Sequence, residues 1–86
     1  MQPDMKQRIR QVLTEQARLP VSMDEVADGD DLYQAGMTSH ASISVMLGLE
    51  DAFDVEFPDH MLTRSVFESV DSISAALGEL VVEGAA

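Results

Sequence analysis

The chain contains no cysteine, which excludes disulfides, thiolate metal sites and thiol catalysis by its own side chains. Basic residues are scarce. Five Lys and Arg stand against sixteen Asp and Glu, for a net charge of −11. Such a balance argues against nucleic acid, whose phosphates need a basic footprint, and against an anionic membrane surface. No apolar run is long enough to span a bilayer, and Met1 to Leu13 is too charged for a secretory signal. These absences predict a soluble, cytoplasmic protein. What remains is one small domain of 86 residues, 45% of them hydrophobic. A chain of this size buries about two-thirds of its unfolded surface, enough for one modest core.

The charge is unevenly placed. Lys6, Arg8, Arg10 and Arg18 lie near the start, and Arg64 is the only later strong base. Between Leu19 and Thr63 there are ten acids and no Lys or Arg. A field of one sign can steer basic partners, although acidic surfaces more often only solubilise.

Hydrophobic spacing predicts an all-α protein, a small bundle of three main helices and one short one. The first runs over 4–18, with Met5, Ile9, Val12, Leu13 and Gln16/Ala17 on one face and Pro3 suited to its first turn. Residues 19–38 lose the pattern, although Val21, Val26, Leu32 and Tyr33 persist among the acids. So long a connection in so small a domain is functional or packed on the core. A second helix starts at Thr38 or Ser39, either of which can cap it. Its Ile43, Val45, Met46, Leu47, Leu49 and Phe53 spread over more than one face, leaving surplus apolar surface for another partner. Pro58 and Asp59 signal a short turn over 59–62. Ser69 or Asp71 caps a last helix with Ile73, Ala76, Leu77, Leu80 and Val81 as its stripe. Residues 83–86 read as a frayed tail.

Candidate chemistry is sparse. Setting Gly29 at the turn of a calcium loop places Asp24 and Asp28 as ligands, but Val26 and Ala35 fall where oxygen ligands are required. Ser39 beside His40 does not make a nucleophile and base, because neighbouring helical side chains diverge, and Met37-Thr38-Ser39-His40-Ala41 lacks the glycines of a nucleophile elbow. His60 is twenty residues from His40, which is no metal-ligand spacing. The residues therefore point away from an enzyme. Ser39 has one other use, as a modification site: a phosphodiester on its hydroxyl would meet free backbone N–H groups and the positive end of a helix dipole. An ordinary N-cap serine explains its position equally well.

The string Asp31-Leu32-Tyr33-Gln34-Ala35-Gly36-Met37-Thr38-Ser39, then Leu49-Glu50-Asp51-Ala52-Phe53-Asp54-Val55-Glu56-Phe57-Pro58-Asp59 and Ser69-Val70-Asp71-Ser72-Ile73, resembles the acyl carrier protein family. The resemblance covers about Met5 to Val81. It implies a carrier without catalytic residues, whose Ser39 receives 4′-phosphopantetheine from coenzyme A. A monomer is expected, with the surplus apolar face of the second helix as the alternative contact between copies. The arm's terminal thiol would hold an acyl or aminoacyl group as a thioester. It also implies three kinds of partner: a phosphopantetheinyl transferase, an acyl- or aminoacyl-loading ligase and a downstream transferase. Thr38 and His40 replace the Asp and Leu that flank the family's serine, while Ser44 and Ala52 fall where acids are frequent. These departures resemble a specialised subgroup, the short bacterial carriers loaded by stand-alone ligases similar to class II aminoacyl-tRNA synthetases. By that likeness Thr38, His40, Leu47, Glu50 and Asp51 are expected partner contacts. For Leu47, periodicity alone favours the core. The rival expectation is an acidic helical module that is never modified and binds and regulates an enzyme.

Overall fold

The computed structural model describes residues 5–85, and side chains as far as Val81. Pro3, expected in the first turn, lies outside them. Helix α1 (Met5–Gln16) buries Ile9, Val12 and Leu13, the stripe expected from spacing. It stops where Arg18 enters the left-handed region at φ 52°, a common helix ending though rarely built on arginine.

The connection from 19 to 38 is packed rather than structureless. A 3₁₀ turn (Met23–Glu25) is capped by Ser22, whose hydroxyl accepts from the Asp24 amide. Met23, Val26, Leu32 and Met37 are buried. Backbone bonds sew the segment to the far end of the chain: the Leu32 amide donates to Glu68 O at 2.6 Å, and the Asp71 amide to Asp28 O at 3.0 Å. Gly36 has φ 121°, and a Cβ there would sit 2.5 Å from Pro20 Cδ, so only glycine fits this turn.

Helix α2 (Ser39–Phe53) directs Val45 and Leu49 into the core. A Cβ on Gly48 would approach Val12 Cγ1 at 3.0 Å, which marks a close crossing of α1 and α2. The turn expected over 59–62 is present as a 3₁₀ turn (Asp59–Met61), and a further short helix that spacing did not mark, α3, follows at Arg64–Phe67. Phe67 anchors α3 by an edge-to-face contact with Phe57, ring centroids 5.3 Å apart.

Helix α4 (Val70–Ala85) is capped by Ser69, not Asp71: the Ser69 hydroxyl accepts from the Ser72 amide, and the Ser69 amide donates to Ser72 Oγ. Ile73, Ala76, Leu77 and Leu80 are buried, but Val81 is exposed and leaves the expected stripe. The tail expected from 83 is helical to Ala85. Helix α1 packs on both α2 and α4, with α3 against α4. The described residues contain no strand.

Candidate functional site

The tight turn before α2 and the cap of α2 together place Ser39. Asp31 accepts from the Tyr33 and Gln34 amides, at 2.9 and 3.3 Å, and the Met37 amide donates to Leu32 O. These bonds, with Gly36, turn the chain sharply into the helix. Thr38 is the N-cap: its Oγ1 accepts from the Ala41 amide at 3.0 Å. Ser39 is therefore the first helical residue. It is exposed, and among the described residues its hydroxyl makes no hydrogen bond; only its carbonyl is engaged, by Ser42 Oγ at 2.7 Å. The two cap assignments open in the sequence resolve to Thr38, which frees Ser39 from that duty.

Ser39 opens on a cleft of about 460 Å³ between α2 and α3. Ile43, Met46, Leu62 and Phe67 supply its apolar wall, and Tyr33, Ser42, Thr63 and Arg64 its polar part. The Arg64 guanidinium carbon lies 4.3 Å from the centre of the Tyr33 ring. A second, more polar groove on the other flank is lined by Arg18, Gly36, Thr38 and His40 among others.

The remaining expected contact residues fall into different environments. His40 and Asp51 are exposed. Leu47 is 55% exposed and Ile43 54%, so the surplus apolar face of α2 looks outward and Leu47 is not core. Glu50 is half-buried and already in use: its Oε2 accepts the Phe57 amide at 2.8 Å, pinning the chain that leaves α2. Thr38 is likewise occupied by its cap. Sequence reading passed over Tyr33 and Arg64 as site residues; the one available signal was that Arg64 is the lone strong base after Arg18.

Among the described residues no three His, Cys, Asp or Glu side chains gather as a metal site, and no helix is long and apolar enough to cross a membrane. Ser39 has no hydrogen bond to His40, and His60 stands on the Asp59–Met61 turn.

An exposed serine with an idle hydroxyl thus opens a capped helix beside a cleft in a small helical bundle. The phosphopantetheine attachment site family matches residues 7–77, and the chain belongs to that family of carrier proteins. It is 44% identical over 80 residues to the aminoacyl carrier protein of Agrobacterium fabrum, a match covering 93% of this chain and 95% of the relative. Its fold matches the Agrobacterium tumefaciens carrier protein crystallised with an engineered Bradyrhizobium japonicum glycine:[carrier protein] ligase and AMP. That match has a TM-score of 0.84 at 44% identity, over 86% of this chain and 99% of the other. A glycylated carrier protein bound to the B. japonicum ligase matches with a TM-score of 0.72 at 25% identity, over 83% and 95% of the two chains.

The residues fit the group that this family carries. Ser39 supplies a hydroxyl reachable from solvent, and the amides of Ser39 and His40 at the start of α2 have no acceptor among the described residues. They can therefore receive phosphate oxygens, with the helix dipole in support.

Proposed function

We propose that Ser39 is the attachment residue for 4′-phosphopantetheine and that the chain is a cytoplasmic, monomeric aminoacyl carrier with no catalysis of its own. The observation that carries this reading is the division of labour at the start of α2. Thr38 holds the cap, so the Ser39 hydroxyl is exposed and without a structural bond. When bound, the arm supplies the thiol on which an aminoacyl group is held. The chain's own part is to display Ser39 and to offer the outer face of α2 to the loading enzyme. Exposed Leu47, His40 and Asp51 form that face, while Thr38 and Glu50 shape it from within. The solved relatives sit with glycine:[carrier protein] ligases, so glycine is the first amino acid to test.

Intact-mass measurement after incubation with coenzyme A and a phosphopantetheinyl transferase tests the attachment. Wild type gains one arm and Ser39→Ala gains none. A second incubation with ATP, glycine and such a ligase adds one glycyl group to the holo-protein. If transferases of broad and narrow specificity all leave the wild type unmodified, the chain is instead a regulatory binding module.

A further inference from the structure

Sixteen acids stand against five bases, yet among the described residues only Lys6 and Arg10 form ion pairs. On α1, Lys6 lies 2.8 Å from Asp71, and Arg10 lies 2.6 Å from Asp28. Arg8, which donates to Ala52 O and lies over the Phe53 ring, makes none, nor does Arg18, nor Arg64. The Arg64 guanidinium rests on the Tyr33 ring instead, 4.3 Å from the centroid. Such a contact fixes the position of the charge without neutralising it. The Tyr33 backbone is held in turn by the Asp31 side chain, which accepts from its amide at 2.9 Å.

Arg64, Tyr33 and Ser39 line the same cleft. A guanidinium offers a planar fork of donors matched to phosphate oxygens, and a phosphodiester on Ser39 would carry a permanent negative charge into that space. We propose that Arg64, steadied by Tyr33, binds the phosphodiester carried on Ser39 and so draws the arm along the α2–α3 cleft instead of leaving it free in solvent. The inference rests on Ser39 being the attachment residue. Arg18 provides the contrast. It also lacks an ion pair among the described residues, but it lines the opposite groove, which Ser39 does not border.

The test is ³¹P and ¹H–¹⁵N NMR on apo and holo forms of the wild type, Arg64→Gln and Arg18→Gln, each checked by intact mass. In the wild type, loading moves the Arg64 Nε–H and Tyr33 ring signals. In Arg64→Gln the ³¹P signal shifts toward that of the free phosphodiester arm, as the docked population falls about two- to fivefold, the worth of one exposed charge pair. Arg18→Gln leaves the ³¹P signal where it was. The inference is overturned if Arg64→Gln and wild type share one ³¹P signal, or if Arg18→Gln shifts it as far. Should Arg64→Gln fail to fold, the wild-type pair still decides: a loaded chain whose Arg64 and Tyr33 signals stay put overturns the inference alone. A chain that gains no mass overturns the attachment reading, and the inference with it.

Discussion

Arg10 and Asp28, eighteen residues apart, meet through a single oxygen: Arg10 Nη2 and Nε donate to Asp28 Oδ1 at 2.6 and 3.1 Å. Arg10 Nη1 also donates to Met23 O at 2.9 Å, and the Asp28 carbonyl accepts the Asp71 amide. One ion pair thus bolts the long connection to α1 while its backbone joins the start of α4. The acid-only segment is not wholly a solvated surface, since Asp28 is matched by bases from the other end of the charge map.

The pair gives stability a pH signature. Hydrogen bonding from Arg10 holds the Asp28 carboxyl below its ordinary value of 3.8, aided by the charges of Arg10 and Lys6. A carboxyl with a lowered folded-state value stabilises the fold above its unfolded value and loses that effect as pH falls through the folded one. Wild type should therefore melt above Asp28→Asn at neutral pH. The gap should close as pH drops below about 3.8. Thermal melts of both proteins across pH 2–7 check this, and a gap that persists at the acid end would break the argument. Added salt should narrow it, because both side chains are partly exposed.

The turn before α2 is sterically tight. Gly36→Ala combines a positive φ with Cβ contacts of 2.5 and 2.8 Å to the Pro20 ring. The strain is expected to cost about 1–3 kcal/mol in denaturant unfolding. Pro20→Ala removes the ring atoms but not the φ penalty. The double variant should thus be less destabilised than the two single losses added together.

Thr38 and Ser39 are adjacent hydroxyls with opposite expected phenotypes. Thr38→Ala removes the cap and should cost about 1 kcal/mol, while loading at Ser39 continues in the folded fraction. Ser39→Ala should change stability by less than about 0.5 kcal/mol and abolish loading. Urea melts beside intact mass separate the two. Equal destabilisation by both would mean that Ser39 shares the cap.

The contrast between these residues shows how far the sequence was legible. Ile9, Val12 and Leu13 on α1, and Ile73, Leu77 and Leu80 on α4, lie on the core faces that helical spacing implies. Cap chemistry is local and narrowed the start of α2 to Thr38 or Ser39, but only the packed geometry assigns the cap to Thr38. Helix α3 has only four residues, too few to show a period, and nothing in the spacing marked it beyond the 59–62 turn. The Arg64–Tyr33 stack and the Glu50–Phe57 bond depend on which segments meet in space, and no local pattern carries that information. Leu47 was ambiguous for a related reason: α2 is apolar on two faces, and only the packing of α1 against one of them decides which is outside.

The last prediction separates neighbouring acids on α2. Glu50 spends Oε2 on the Phe57 amide, whereas Asp51 is exposed. Glu50→Ala should lose about 1–2 kcal/mol of stability, because the buried chain at Phe57 gives up a charge-assisted bond. Asp51→Ala should leave stability within about 0.5 kcal/mol. Against a loading ligase the order reverses. Asp51→Lys should slow association, with the wild-type rate falling toward the variant's as salt rises, because exposed charges steer encounter more than they hold the complex. Leu47→Ala should act on the dissociation rate instead, since an exposed apolar side chain contributes only once water has left the interface. Binding kinetics for wild type, Asp51→Lys and Leu47→Ala at two salt concentrations would show both patterns. An Asp51→Lys rate indifferent to salt would remove electrostatic steering from this surface. A Leu47→Ala variant with unchanged dissociation would move the ligase contact off the outer face of α2.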